Sequence, residues 1–254
     1  MKTVTSLKAL FTLQELQQAI DDVQCGKATG ADKVPNEVYK FACPQDVKEL
    51  LVAQFNEVFM GRAVPAKLKN VTISILFKKG DESDCDNYRG LSLINHEGKL
   101  LERMVQNRLL KFVRSNLGEG IIPPSQFGFT PGKSVVDCVW MSRLLGYEAV
   151  AHRDKLLKCF VDLTKAYDRV DRPTLWEILR RYGVPDELVN LIAGLHDGSM
   201  ATIQVGGCTT EVPFELKRGL KQGSVFAPLL FNIFFGCIMN CCRKKFKEQK
   251  LAGC

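Results

Sequence analysis

Residues Leu156-Leu-Lys-Cys-Phe-Val161 form a mostly apolar run that ends on one carboxylate, Asp162, with a bulky aromatic, Tyr167, five residues further on. A run of this length and character reads as a buried strand, here 156–163, and therefore commits the chain to a covered sheet. A carboxylate at the end of a rigid strand has two uses. It caps the turn that follows, or it presents oxygen to a hard cation such as Mg²⁺.

The other periodic segments indicate a mixed fold. Thr12-Leu-Gln-Glu15 is a capping box that opens a helix to about Val23. Val47, Leu50, Leu51, Phe55, Val58 and Phe59 recur at helical spacing with Gly61 behind them, and the pattern returns from Lys99 to Leu117 through Leu101, Met104, Val105, Leu109 and Phe112. Val71–Phe77 is β-branched and runs into the basic turn Lys78-Lys79-Gly80-Asp81, so it is a second strand. Asp171-Arg-Pro173 starts a helix that Gly183 closes, and Pro185-Asp-Glu187 starts the next. Residues 200–205 and 211–216, separated by Gly206-Gly207, predict a hairpin. Strands interleaved with helices give an α+β (mixed α/β) class without fixing strand order.

Composition narrows the partners. A chain of 254 residues with 46% apolar content forms one large domain or two modest ones. The net charge of +7 suits a polyanionic partner, as it suits many proteins that bind nothing acidic. Ten cysteines show no regular framework, and Cys138, Cys159 and Cys237 sit in apolar runs as small hydrophobes. With no signal peptide at the N-terminus, this predicts an intracellular protein of the nucleus or cytoplasm. His96, His152 and His196 match no metal-binding spacing, and Cys237, Cys241 and Cys242 read as helix packing. Residues 225–242 imitate a membrane span with a basic flank, but Pro228, Asn232 and Asn240 interrupt them. A buried helix is the expectation, no membrane partner is expected, and a membrane anchor is the lesser alternative.

Several segments then occur together in a fixed order: Gly26-Lys-Ala-Thr-Gly-Ala-Asp-Lys-Val-Pro35, Asp86-Asn-Tyr-Arg-Gly-Leu-Ser-Leu93, Gln126-Phe-Gly-Phe-Thr-Pro-Gly-Lys-Ser134, Phe160-Val-Asp-Leu-Thr-Lys-Ala-Tyr-Asp-Arg-Val170 and Arg218-Gly-Leu-Lys-Gln-Gly-Ser-Val-Phe-Ala-Pro228. In that order they resemble the reverse transcriptase domain of non-LTR (LINE-type) retrotransposons, over nearly the whole chain. The resemblance implies a right-hand polymerase, with fingers and an N-terminal helical extension over 1–150 and a partial palm over 151–254. It also implies an RNA template, a DNA primer, an incoming dNTP and a pair of Mg²⁺ ions roughly 4 Å apart that clamp the attacking and leaving oxygens.

The same resemblance implies residue roles. Asp162 is the catalytic carboxylate that binds both metals, assisted by the backbone carbonyl of Leu163. Tyr167 lies beneath the sugar of the incoming nucleotide and leaves no room for a 2′-hydroxyl. Lys78 or Lys79, together with Arg89, grips the triphosphate, although the lysine pair reads equally as a solvated turn because the family usually has Pro where Phe77 stands. Gln222 reaches toward the nucleotide, Gly223 lets the backbone approach the base pair, and Asp168 supports the first motif. One expected feature does not occur. The family's aromatic-x-Asp-Asp turn has no counterpart after Gln222, where Glu248 is the single acidic residue. Asp21-Asp22, the one adjacent pair, falls on a predicted helix surface. The expectation is a polymerase segment truncated before that turn and inactive alone, with a non-enzymatic nucleic-acid-binding remnant as the alternative.

Overall fold

The computed structural model describes residues 5–115, 118–206, 208–210 and 212–252. Leu117, Gly207, Glu211 and Cys254, on which some expected boundaries fall, lie outside them. The chain runs through α1 (Thr5–Lys8), α2 (Leu13–Asp21), α3 (Asn36–Phe41), α4 (Gln45–Phe59) and α5 (Ala66–Lys69) into β1 (Val71–Phe77). It continues through β2 (Tyr88–Ile94), α6 (His96–Arg114), α7 (Val135–Ala151), α8 (Arg172–Arg181), α9 (Asp186–Gly194), β3 (Met200–Val205), β4 (Cys208–Thr209), β5 (Phe214–Glu215) and α10 (Ala227–Ala252).

The β-branched run of β1 supplies the middle of the sheet. On one edge β1 pairs antiparallel with β2 in register from Val71 opposite Ile94 to Phe77 opposite Tyr88. On the other edge it pairs parallel with β3, Val71 opposite Ala201. The order is β2-β1-β3-β4, with β5 also pairing β3, so strands from both sides of residue 150 share one sheet. A short 3-10 turn, Cys85–Asn87, lies between β1 and β2. The Lys78 N–H donates to the Asn87 carbonyl at 2.9 Å, and Asp84 caps that turn by accepting from the Asp86 N–H at 2.9 Å.

The helices build the core beside this sheet. The α2 helix packs on α4 and α6, α4 on α9, and α8 on α9 and α10. Leu16, Phe55, Leu101, Met104, Leu109, Leu175, Leu188 and Leu230 are buried in one continuous cluster. The buried stripe of α4 is Leu51, Val52, Phe55, Val58 and Phe59, whereas Leu50 is exposed. The N-terminal capping box forms as expected: Thr12 accepts from the Glu15 N–H at 3.2 Å, and Glu15 accepts from the Thr12 N–H at 3.0 Å. Glu15 also takes a bidentate ion pair from Arg108 of α6, at 2.7 and 2.8 Å. Arg108 is buried, lies over the Phe11 ring at 4.1 Å, and donates to the carbonyls of Ala9 and Leu10.

Two expectations are corrected. Residues 156–163 are not a strand: they belong to no ladder, and Leu157 and Phe160 are 97% and 89% exposed. Apolar character favours a strand only where a neighbour offers backbone groups to pair with, and none of the described strands lies alongside. The segment instead runs back along α7, where Lys158 donates to Ser142 Oγ at 3.1 Å. The second arm of the hairpin is divided, with β4 pairing Gln204 and Val205 and β5 pairing Met200 and Ala201. The buried helix expected over 225–242 forms from Ala227 onward. Among the described residues no helix is long and apolar enough to cross a membrane, and α10 buries Leu229, Leu230 and Ile233 in the helical core.

Helices α1, α3, α5 and α7 and strand β2 carried no sequence expectation. In α7, a capping box of Ser134 and Asp137 opens the helix, but apolar residues lie on all its faces and none is buried.

The Glu15–Arg108 pair gives a direct test. Burial alone raises the Glu15 carboxyl, but the Arg108 hydrogen bonds and charge and the Thr12 cap outweigh it and hold the group below its ordinary value of 4.5. A depressed acid stabilises the fold fully above its unfolded value and stops doing so as pH falls through its folded one. Arg108→Ala is expected to lower the unfolding free energy by roughly 3 kcal/mol at neutral pH, because it leaves a partly buried charge without its partner. Urea denaturation at pH 7 and at pH 3 measures it, and the difference between wild type and variant narrows at the lower pH.

Candidate active site

The loop that joins β5 to α10, residues 216–226, is pressed against two other segments. Gly219 has φ 73°, and a Cβ there would meet Asp168 Cα at 2.6 Å. Gly223 has φ 114°, and a Cβ would meet the Ser92 carbonyl oxygen at 2.6 Å. Only glycine allows both approaches, since an L side chain is strained at those angles and has no space. The backbone bonds that result are specific. Gly219 N–H donates to Val170 O at 3.2 Å, Leu220 N–H to Tyr167 O at 2.9 Å, and Ser92 N–H to Gln222 O at 2.6 Å.

Those contacts bring together β2, the turn 164–169 and the 218–223 loop around one cleft, lined by Ile73, Gly90, Ser92, Asp168, Arg218 and Gln222 among others. At its mouth the Gln222 amide donates to Asp168 Oδ1 at 3.3 Å. Tyr167 is half-buried and stacks on Phe231 of α10 with centroids 5.1 Å apart and an interplanar angle of 15°. Burial raises the Tyr167 hydroxyl, so the ring presents a neutral phenol at neutral pH. The turn holds Lys165 at φ 52°, uncommon for a residue with a side chain, and Lys165 Nζ pairs with Asp86 at 2.9 Å. Both partners are largely exposed, so the pair fixes geometry more than it adds stability.

Gln222 and Asp168 thus line the cleft, with Gly223 and Tyr167 beside them in the chain but not in its lining. Lys78, Lys79 and Arg89 stand apart from the cleft lining: all three are exposed, Lys78 and Lys79 in the turn after β1. Arg89 is on β2, where strand alternation turns it to the face opposite Gly90 and Ser92. Asp162 and Leu163 lie on the exposed segment before the turn. Among the described residues no three of His, Cys, Asp and Glu come together to hold a metal ion. With Asp162 alone on an irregular segment, the described residues do not fit the expected ion pair, and no chemical step through a metal is derived from them.

Beneath the loop lies a set of buried charged groups that motif reading passed over. Lys221 Nζ donates to the carbonyls of Lys69 and Leu195, both at 2.6 Å. Arg172 donates to Gly219 O at 2.8 Å, Arg218 O at 3.2 Å and His196 O at 3.3 Å. Glu102 of α6 accepts from Ser224 Oγ at 2.9 Å and Val225 N–H at 2.8 Å. Burial pulls Lys221 down to about 8, with Glu102 opposing that shift, and pushes the Glu102 carboxyl up. The signal for Glu102 was present in the sequence: it shares helical spacing with Val105, Leu109 and Phe112, an inward face on which a charge is unexpected. For Lys221 and Arg172 no local signal exists, because their partners are distant carbonyls.

The sequence profile of the reverse transcriptase (RNA-dependent DNA polymerase) family matches residues 77–252, a span that holds β2, the 164–169 turn and the 218–223 loop together. The chain belongs to that family. Its relatives within it come from non-LTR mobile elements. The RNA-directed DNA polymerase from mobile element jockey of Drosophila funebris is 30% identical over 230 residues, 90% of this chain and 24% of that protein. The probable RNA-directed DNA polymerase from transposon BS of Drosophila melanogaster is 27% identical over 223 residues, 87% of this chain and 24% of that protein. The transposon TX1 uncharacterized 149 kDa protein of Xenopus laevis is 26% identical over 242 residues, 94% of this chain and 18% of that protein. The chain spans about a quarter or less of the length of these relatives. Members of the family use a divalent metal ion.

Two measurements probe this region. Gly223→Ala is expected to cost on the order of 2 kcal/mol of unfolding free energy, because the new Cβ meets a backbone oxygen at a positive φ. Chemical denaturation checks it. His196 is buried between Trp176 and Phe226, and burial with the nearby Lys221 charge pulls its pKa from 6.5 down to about 3. The unfolded chain therefore takes up that proton first, and stability falls as pH drops from about 6.5 toward 3. His196→Phe is expected to flatten that acid slope, read as the urea midpoint between pH 7 and pH 4.

Proposed function

We propose that this chain is the fingers (1–150) and the first part of the palm (151–254) of an RNA-directed DNA polymerase of a non-LTR element, holding an RNA template, a DNA primer and an incoming dNTP. The observation that carries the reading is the convergence of three family motifs on one cleft, through the Ser92–Gln222, Leu220–Tyr167 and Gly219–Val170 backbone bonds. In this reading Gln222 faces the nucleotide and Gly223 permits close approach. The Tyr167 ring excludes a 2′-hydroxyl and so favours deoxynucleotides. The family resemblance assigns Arg89 and Lys78 to the triphosphate, although both stand outside the cleft and Arg89 is on the opposite face of β2; the remaining basic residues meet backbone phosphates. Asp162, with the Leu163 carbonyl, is the reading's choice for the Mg²⁺ ligand of the complete enzyme. Within these 254 residues it is one acid where two ions require several, so the segment by itself binds without catalysing extension.

A second reading, a nucleic-acid binder with no chemistry, is favoured by the exposed and solitary Asp162. Fluorescence anisotropy with a labelled RNA template annealed to a DNA primer separates them. The polymerase reading expects binding that weakens with salt and tightens at least about threefold with the matching dNTP, an increment that Gln222→Ala removes. Binding indifferent to dNTP supports the second reading. Primer extension with Mg²⁺, abolished by Asp162→Ala, would overturn the assignment of inactivity to the segment alone.

A further inference from the structure

The 218–225 loop is held from below by five elements of the fold. Arg172, at the start of α8, takes the carbonyls of Arg218 and Gly219. Ser92 of β2 takes the carbonyl of Gln222. On α6, Glu102 accepts from Ser224 and Val225, and Gln106 Nε2 donates to Val225 O at 3.1 Å. Lys221, from within the loop, reaches down between the carbonyls of Lys69, at the end of α5, and Leu195, just after α9. Lys221 is 4% and Glu102 1% exposed, and Lys221 and Arg172 border the cleft at its floor.

Burying an ammonium and a carboxylate is a poor way to fill space. Apolar side chains of the same volume would pack the site at less cost, and what the charged groups add is direction. Arg172 and Glu102 fix loop backbone atoms on either side of Gln222, at Arg218, Gly219 and Val225, and Lys221 ties the loop to the carbonyls of Lys69 and Leu195. The Lys221 Cα and the Gln222 Cα are neighbours in the chain, and their side chains serve opposite purposes: one anchors downward while the other faces the cleft.

We infer that Glu102, Lys221 and Arg172 are positioning residues for Gln222 and Gly223, holding the loop in the one arrangement that aims the Gln222 amide into the cleft. The inference rests on the reading of Gln222 as nucleotide-facing. Its mechanical half, that these groups order the loop, stands apart from that reading and is measured apart from it.

Hydrogen–deuterium exchange on the full 254-residue chain reads the loop directly, beside thermal midpoints and dNTP-dependent template–primer binding. Lys221→Met keeps the volume and removes the direction. It is expected to lower the thermal midpoint, because Glu102 and the Lys69 and Leu195 carbonyls lose a partner, while exchange of amides 218–225 rises at least about tenfold more than that of the helical core, a local opening on a retained fold. Glu102→Leu is expected to do the same, and Glu102→Gln, which keeps an acceptor oxygen, to restore near-wild-type exchange. In both loosened variants the dNTP-dependent tightening of template–primer binding drops to the level of Gln222→Ala, while dNTP-independent binding is unchanged. Exchange in 218–225 that stays at the wild-type rate in Lys221→Met, or that rises equally throughout the helical core, would overturn the inference. If Glu102→Leu does not fold, Lys221→Met alone decides. A wild-type chain that shows no dNTP response would remove the nucleotide-facing reading, and with it the functional half of the inference, while exchange still decides whether these charges order the loop.

Discussion

Strand β1 is the constraint on which the rest of the structure depends. It is hydrogen-bonded along both edges, antiparallel to the strand that follows it and parallel to one that begins at Met200. Closing so long an interval of chain is entropically unfavourable and slow, and the contact is rewarded only when the helices between the two strands have somewhere to pack. They do: α8 and α9 lie between the strands in sequence and contribute Leu175, Leu179, Leu188 and Ile192 to the same core as α2, α4 and α6. The β1–β3 pairing also delivers the segment after β5 to the edge of β2. Without it Gly223 would have no Ser92 to approach.

Backbone and charge share the task of holding that segment. Two glycines permit contact distances no other residue allows, and three buried charged side chains secure carbonyls and N–H groups that would otherwise be left unpaired. The division is chemically reasonable. A tight loop has no internal ladder to satisfy its own polar groups, so Arg172 and Glu102 reach in from α8 and α6 to do so, while Lys221 reaches out of the loop to carbonyls at the ends of α5 and α9. The +7 charge of the chain is therefore only partly available to an external polyanion. Arg108, Arg172 and Lys221 are consumed internally.

What could be read from the sequence follows from how local each signal is. The Thr12–Glu15 capping box, the stripe of α6 and the Asp171-Arg-Pro173 helix start are decided within one or two turns, and they form where expected. Strand β2 escaped notice because Gly90 and Arg89 interrupt its pattern, and its pairing with β1 decides the matter. Helix α7 escaped because apolar residues on every face give no amphipathic period. Residues 156–163 failed in the opposite direction, since apolar content shows a wish to be buried and not the presence of anything to be buried against. In the candidate site, motif order singled out Gln222, Gly223, Tyr167 and Asp168, which lie near one another around the 218–223 loop. The partners of Lys221 are backbone carbonyls far away in the chain, and no pattern of side chains encodes them.

Helix α7 and the stretch after it have one more consequence. Trp140, Tyr147, Leu145, Leu157 and Phe160 all face solvent on a single projecting unit, a greasy surface of the kind water tolerates poorly. An exposed apolar surface of this kind is an aggregation liability for the isolated polypeptide, one that a mild detergent or a solubilising fusion is expected to relieve.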